Sequence, residues 1–304
     1  MRQWKPQASL SLMIAIVLLI LAVGGTMVVG LQLLQIIGLP PEEWPIDLGV
    51  FGVLVALLLL VCCVGALGYR VAAVLTLRYA LDRNGLYIDW LGNRAVIPLD
   101  RISSVDIGAT VEYLPLGPVQ AIGYYWGQAR LAGGRTLHLF STLPPERSLI
   151  VTTDEASYAL APLDLNGFVS DLEQRRNLGA TKPLSTIIEP SRMFFYAFWN
   201  DQTVRALLLV ALFLNLLALA LIANQYPLLA GAIEMRFDAT GETMELRPRH
   251  QVLFLPLAAF GLSLLNTLLG LALYHRERLA ARLLQGASVI VQILFLIAVV
   301  SIIS

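Results

Sequence analysis

Five long apolar runs limit what this chain can fold into. The sequence has 304 residues, of which 57% are hydrophobic and only 14% are charged. A transmembrane helix needs about 20 consecutive apolar residues to cross the hydrocarbon layer. Runs of this kind cover residues 9–31, 48–68, 204–223, 252–274 and 283–303. The sequence therefore predicts a multi-pass α-helical membrane protein with five spans.

The first run has a competing interpretation as a secretory signal peptide, because Arg2 and Lys5 precede it. Its apolar core is too long for a signal peptide, and no small-residue cleavage site follows it. We therefore expect the run to be retained as a span. Residues 1–72 then hold two transmembrane helices.

Basic residues in short segments predict the orientation, since such segments stay on the cytoplasmic side. They lie before the first span and in the turn between the fourth and fifth spans, at Arg2, Lys5, Arg276, Arg278 and Arg282. We expect the N-terminus and residues 73–203 to be cytoplasmic in a plasma membrane. Residues 39–47, the outer loop 224–251 and the C-terminus are then expected outside.

Between the second and third spans lies a stretch with strand-like alternation and turn signals. Asn84-Gly85 and Gly133-Gly134 are typical of hairpin turns, and an Asn-Gly pair usually supplies positive backbone φ angles. Short strands are predicted at 74–81, 86–90, 94–99, 102–107, 128–132, 136–141, 148–153 and 157–160.

The period then changes to that of a helix. Apolar residues lie at i, i+3, i+4 and i+7, with Asp164 as N-cap and Gly179 as terminator. Arg175 and Arg176 fall in the last turn, where positive charge suits the helix dipole. The apolar stripe consists of Leu165, Phe168, Val169 and Leu172.

Two patterns in this stretch resemble the bacterial pleckstrin-homology (PH) domains found in membrane proteins. One is Asn84-Gly85-Leu86-Tyr87-Ile88 followed by the segment 94–99, and the other is Tyr158-Ala159-Leu160-Ala161-Pro162 leading to Asp164 and Phe168. The resemblance implies an inserted α+β domain at residues 73–179. Its expected form is a seven- or eight-stranded antiparallel, partly open barrel capped by a C-terminal helix. By the same resemblance, such domains act as scaffolds for protein or membrane-surface contacts.

Phosphoinositide-binding members of that fold hold the headgroup with several basic residues around the first hairpin turn. This sequence places only Arg83 at the turn, with Arg78 and Arg94 nearby. Asp82 and Asp89 oppose these basic residues. The pattern favours solvated surface charges. Weak lipid contact by Arg83 or Arg94 is the alternative, because the domain is tethered beside the bilayer.

An aromatic cluster lies near the end of the linker 180–203, just before the third span. Aromatic side chains prefer the membrane interface, so we expect an anchoring belt, with a partner-binding patch as the alternative. The cluster consists of Phe194, Phe195, Tyr196, Phe198 and Trp199.

The outer loop opens with Tyr226-Pro227 and has the segment 236–242 at its centre, and Leu255-Pro256-Leu257 follows just inside the next span. In these motifs it resembles a small membrane domain of unknown function found in SdpI-type immunity proteins. Arg236 stands where a His is common, and the segment after Gly241 lacks the usual aromatic and glycine residues. Asp238 and Gly241 fit a tight reverse turn. A recognition site at Arg236, Asp238 and Gly241 is the alternative.

Polar side chains inside the last three spans are expected to hydrogen-bond between helices. They are Asn215, Ser263, Asn266, Thr267, Gln285, Ser288 and Gln292. No ionisable residue lies in the middle of a span, which disfavours ion-coupled transport.

The sequence offers no signal for catalysis, for a cofactor or for a metal. It contains no phosphate-binding loop, nucleophile elbow or zinc-protease motif. Cys62 and Cys63 are adjacent, and the three histidines are scattered. The balance of 21 basic and 21 acidic residues gives no indication of nucleic-acid binding.

Together these features predict a non-enzymatic bacterial membrane protein without cofactors. We expect its PH-like domain to act as a sensor or scaffold that binds a protein partner or the membrane surface. The alternative is an immunity or transport-like function of the last three helices and the 236–242 turn.

Overall fold

A computed structural model of the chain describes residues 2–113, 124–179, 181–182, 184–185, 187–189, 198–199, 201–237 and 243–303. The chain divides into two compact units, residues 1–24 with 61–192 and residues 25–60 with 193–304. Two of these boundaries fall inside the first two helices.

The longer helices of the described residues are α1 (Leu10–Ile37), α2 (Leu48–Thr76), α3 (Leu165–Leu178), α4 (Gln202–Gln225), α5 (Phe254–Leu273) and α6 (Arg278–Ile303). The strands are β1 (Arg2–Trp4), β2 (Arg78–Leu81), β3 (Gly85–Trp90), β4 (Asn93–Pro98), β5 (Ile102–Ile107), β6 (Val111–Tyr113), β7 (Tyr125–Leu131), β8 (Thr136–Ser141), β9 (Leu149–Thr153), β10 (Ser157–Leu160), β11 (Ile187–Glu189), β12 (Ala232–Phe237) and β13 (Thr243–Pro248).

Five helices of the described residues are long and apolar enough to cross a membrane: α1, α2, α4, α5 and α6. The first two extend past the predicted spans, to Ile37 and Thr76. These helices are those of a membrane protein, and their orientation stays a prediction.

The first unit is built on two sheets. One has the order β1-β2-β3-β4-β11, and the other has the order β5-β9-β10-β8-β7-β6. Strands β5 and β6 lie at opposite edges of the second sheet, although only residues 108–110 separate them along the chain. The second sheet must therefore curl strongly so that its two edges approach each other.

The strand prediction was wrong in two respects. Nine strands, rather than seven or eight, lie within the described part of 78–160, and β8 pairs with β10 in parallel. The parallel pair arises because β10, which forms a hairpin with β9, lies between β9 and β8 in the sheet. The additional strand, β6, has three residues, too few to show an alternating pattern.

The start of the first predicted strand was also wrong. Residues 74–76 complete α2, and β2 begins at Arg78. Ala73, Val74 and Leu77 are buried in the same core as residues of both sheets. A short buried apolar run has no period that separates helix from strand, which explains the error.

The predicted helix is confirmed as α3. The Asp164 carboxylate accepts a hydrogen bond from the Gly167 N–H, and Gly179 ends the helix with φ of 71°. Phe168 and Leu172 are fully buried in the core between the sheets.

The N-terminus supplies a strand that the sequence did not reveal. β1 pairs with β2, so that Trp4 lies opposite Tyr79. The Trp4 ring packs edge-on against Phe168, with 5.8 Å between ring centroids. The Gln7 N–H then donates to the Ala161 carbonyl. The segment before α1 and the last turn of α2 therefore both belong to this domain.

Tyr79 joins the two sheets. Its hydroxyl donates to the Phe140 carbonyl at 2.6 Å and accepts from the Ala161 N–H at 3.2 Å. The side chain is fully buried, and burial strongly raises the pKa of its hydroxyl. The neutral hydroxyl therefore serves as donor and acceptor at once.

We expect Tyr79→Phe to weaken the domain, because it leaves a buried carbonyl and a buried N–H without partners, at about 1–3 kcal/mol. Hydrogen exchange of backbone amides in 137–140 and 158–161, followed by mass spectrometry, measures the effect. Roughly tenfold faster exchange is expected in these segments. Tyr87→Phe is the matched control, since the Tyr87 hydroxyl donates to the Asp82 carboxylate at the part-exposed first turn. Equal exchange rates in both variants would contradict the bridging role.

Candidate functional site

The first hairpin turn forms at the predicted Asn84-Gly85 pair, but not in the predicted conformation. Positive φ angles occur instead in the next turn, at Leu91 and Gly92. At the first turn the Asp82 carboxylate accepts from the N–H groups of Asn84 and Gly85, both at 2.8 Å. A side-chain cap thus replaces the positive backbone angles.

Gly85 leaves little space for a side chain at this turn. A Cβ atom there would lie 3.0 Å from the Leu184 side chain and 3.3 Å from the Ile97 carbonyl oxygen. The turn therefore packs closely against the chain that follows α3.

Arg83 contacts the C-terminus of α3. Its guanidinium donates to the carbonyls of Gly179 at 3.2 Å and Leu178 at 3.3 Å. The neighbouring Asn84 amide oxygen accepts from the N–H and hydroxyl of Thr181, each at 2.8 Å. In this domain the first turn therefore binds the domain's own chain, through Arg83, one of the two candidates for lipid contact, and Asn84.

Arg94 lies at the other end of the same sheet. It forms a two-pronged ion pair with Asp89, with the shorter N–O distance at 2.6 Å. Arg78 lies on β2 next to the end of α2, and in the β2–β3 register it is opposite Asp89. The length of β3 separates Arg83 from Arg94 by roughly 15 Å. The structure therefore does not bring the two candidate residues together, and their contact with lipid stays a prediction.

The second unit contains a helix bundle whose ends meet at Asp201, the N-cap of α4. The side chain is buried, with 3% of its surface exposed. One carboxylate oxygen accepts from the Tyr274 hydroxyl at 3.0 Å and from the Arg282 guanidinium at 2.9 Å. The other accepts from the N–H groups of Thr203 and Val204. One carboxylate thus joins the start of α4, the end of α5 and the first turns of α6.

The polar residues predicted inside the last three spans form one hydrogen-bonded network. Asn215 on α4 donates to the Gln292 amide oxygen at 3.1 Å and to the Pro256 carbonyl at 2.8 Å. Gln292 on α6 then donates to the Ser263 hydroxyl on α5 at 2.9 Å. The prediction that these groups hydrogen-bond between helices is confirmed.

The network continues along the α5–α6 contact. Asn266 donates to the Ser288 hydroxyl at 3.1 Å, and Gln285 donates to the Asn266 carbonyl at 3.2 Å. Thr267 donates to the Ser263 carbonyl at 2.7 Å, and the Gln285 amide oxygen lies 3.3 Å from the same hydroxyl. Gln285, Ser288 and Gln292 are almost fully buried, on one face of α6. Each such bond contributes about 0.6 kcal/mol on average in a membrane.

The aromatic linker cluster is described only in part. Phe198 is fully buried against Val204, Tyr274 and Ala281, so for this residue the interfacial prediction was wrong. Its ring packs edge-on against Tyr274 and is shielded from lipid and water alike. Trp199 is exposed, and the other three aromatic residues lie outside the described residues.

The outer loop contains the hairpin of β12 and β13, in which Arg236 pairs in register with Glu245. Asp238 and Gly241 lie outside the described residues, so the proposed turn stays a prediction. Within the described part of the chain, no cluster of three or more metal-ligating side chains occurs.

Asp201 is the residue that sequence reasoning missed. The signal was available, since an Asp directly before an apolar helix is a common N-cap. Arg282 was interpreted only as a marker of orientation. The contact between the two depends on how α4 and α6 pack, and no local pattern encodes that.

Comparison with known proteins supports the interpretation of the first unit. Residues 77–176 match the family model of the bacterial PH domain. No curated protein and no solved structure matches the chain significantly. The family match does not extend to the C-terminal helices, where the resemblance to SdpI-type proteins stays a prediction.

Two glycines of α5 allow a test of the bundle. A Cβ at Gly270 would lie 2.8 Å from the buried amide nitrogen of Gln285, whereas a Cβ at Gly261 meets nothing within 4 Å. We expect Gly270→Ala to destabilise the bundle by about 1–3 kcal/mol through overpacking. Gly261→Ala should be neutral or stabilising by up to about 1 kcal/mol, through helix propensity. Thermal unfolding in mild detergent compares them, and melting shifts of equal sign would contradict the packing.

The buried Asp201 carboxylate should make the stability of the fold depend on pH. The hydrogen bond from Arg282 is the main cause that lowers its pKa from 3.8 to about 2, against the opposing effect of burial. Because the folded pKa lies below the unfolded one, the ionised group stabilises the fold above about pH 4. This stabilisation is lost as the pH falls toward about 2.

Arg282→Gln should raise the pKa of Asp201 and move the acid loss of stability to higher pH. Melting temperatures across an acid pH series measure this. Arg276→Gln removes the same charge from the exposed turn before α6 and is the control. If both variants followed the wild-type profile, Arg282 would not be the group that holds the carboxylate ionised.

Proposed function

We propose that the protein is a non-enzymatic membrane scaffold. Its PH-like domain presents a binding surface for a protein partner at the cytoplasmic face of the plasma membrane. The direct join between α2 and the domain carries this proposal. Only Leu77 separates the end of α2 from the first residue of β2.

The join is packed as well as short. Ala73 and Val74 on α2 are almost completely buried in the core that also contains Tyr79 and Phe168. On the other side, Trp4 belongs to the same core, and α1 begins six residues later. A domain fixed at two helices cannot swing on a flexible linker, so its surface stays at a constant height above the bilayer.

The outward face of the first sheet offers a surface for such a partner. Tyr79, Ile88 and Ala95 point into the core, so their neighbours along each strand point outward. The outward row beside α2 consists of Arg78, Asp89 and Arg94. This row has both signs of charge, which suits a polar protein surface better than an anionic headgroup.

The helix bundle also favours the scaffold over an immunity or transport-like function. All seven polar residues predicted within its spans make hydrogen bonds to each other or to the backbone of neighbouring helices. A network with these internal partners stabilises helix packing. No specific contact of the described residues favours an immunity or transport-like function.

Co-purification from mild detergent tests the scaffold function. We expect the full chain to retain a specific protein partner that is lost from a variant lacking residues 78–177. Because that deletion exposes Trp4 and Val74, a second variant is needed that keeps the fold. Arg78→Gln with Arg94→Gln removes two exposed charges and the surface ion pair with Asp89, which should cost little stability. It should reduce the same partner if the outward row is the contact surface.

Quantitative mass spectrometry identifies the partner, and membrane flotation confirms that each variant still inserts. Recovery of the same partners from the full chain and from the deletion would contradict the scaffold function. So would recovery of no partner from either form. A partner retained only when the C-terminal helices are intact would favour the bundle.

A further inference from the structure

We propose that the PH-like domain rests directly on the bilayer through an apolar collar. The collar consists of Leu10, Tyr69, Leu75 and Leu163, and its partner is the lipid surface. The proposal depends on the proposed function, because it requires α1 and α2 to span the membrane.

Leu163 places part of the domain beside the start of α1. Its side chain is 64% exposed, and its N–H donates to the Lys5 carbonyl at 2.9 Å. Pro162 forms an isolated bridge with Pro6. The exposed leucine is therefore held rigidly at the point where the chain leaves the domain for α1.

Tyr69 and Leu75 mark the corresponding point on α2. They are 44% and 67% exposed, although Ala73 and Val74 between them are buried in the domain. Arg70 lies on the same turns and donates to the Tyr124 carbonyl at 3.4 Å. The domain thus covers one side of the helix and leaves an apolar and aromatic side uncovered. Aromatic residues favour the membrane interface at such positions.

The length of the apolar helix α1 indicates that lipid reaches the level of this collar. α1 has 28 residues without a charge, which corresponds to about 42 Å, whereas the hydrocarbon core is about 30 Å thick. Its exposed face is apolar from the first residue, since Leu10 and Met13 are 79% and 65% exposed. If the lipid ended well short of the domain, this face would lie in water. If lipid covers this face of α1, the membrane interface lies at the level of Leu163.

Charge fits the same placement. Lys5 is exposed beside Leu163, where an anionic headgroup would accept hydrogen bonds from its ammonium group. The far end of α3 has a different character. Leu178 is also exposed there, but it lies next to Arg83, which donates to its carbonyl, and the helix keeps it about 20 Å away from Leu163. The two leucines thus form a matched pair on one domain.

Site-directed fluorescence measures the depth of these positions. The full chain, with Cys62→Ala and Cys63→Ala, is reconstituted in nanodiscs of phosphatidylcholine and phosphatidylglycerol. Single labels are introduced by Leu163→Cys, by Leu178→Cys and, as a reference inside α1, by Leu21→Cys. Quenching by brominated lipid is compared with quenching by iodide in the water.

We expect lipid quenching at residue 163 to be several-fold stronger than at residue 178, and iodide quenching to show the reverse. Residue 21 should be quenched by lipid alone. If residue 163 behaved as residue 178 does while residue 21 remained lipid-quenched, the collar would be refuted and the spanning helices retained. If residue 21 were quenched by iodide, the membrane scaffold itself would be refuted.

Leu163→Asp tests the same contact without a label at that position. With a reporter at Leu75→Cys, the charged residue should lower lipid quenching on the α2 side, because the collar acts as one surface. Leu178→Asp should leave this reporter unchanged. Equal reporter signals in both variants would show that Leu163 does not help to seat the domain.

Discussion

The last turn of α2 packs alanine and valine side chains into the apolar core of the PH-like domain, and the organisation of the first unit depends on this contact. An isolated PH-like domain would need its own residues to close this end of the core. Here Ala73, Val74 and Leu77 close it from the helix side, and Trp4 closes it beside α1. The domain therefore forms one packed body with the last turn of α2 and with the segment that leads into α1.

The C-terminal bundle solves a different problem. Helices in lipid gain little from apolar contact with one another, because lipid tails are equally apolar. The bundle instead uses amides and hydroxyls along one face of α6, together with the buried carboxylate of Asp201 at one end. The carboxylate has donors on every side, including the N–H groups that start α4. A buried charge is tolerated when its bonds are completed in this way.

The sequence predicted the features that local patterns encode. The apolar helices follow from length and hydropathy, and α3 follows from its stripe and caps. The hairpin at Gly133-Gly134 follows from turn chemistry, and both glycines have positive φ. The three-residue strands β1, β6 and β11 were missed because a period of two needs more residues to show itself. The parallel β8–β10 pair was missed for another reason, since contacts distant in sequence decide it. The conformation at Asn84-Gly85 was missed because the Asp82 carboxylate caps the turn. The same limit applies to the sites, where the polar residues were identifiable and their partners were not.

The N-terminal strand has a consequence for how the protein is made. β1 leaves the ribosome before α1 and α2, but its partner β2 follows both helices. Trp4 must therefore wait, without its place in the core, while the two helices are synthesised and inserted. Only when β2 emerges on the same side can the first sheet be completed. The domain therefore cannot finish folding before both helices have been synthesised, and until then β1 is unpaired and the core lacks Trp4.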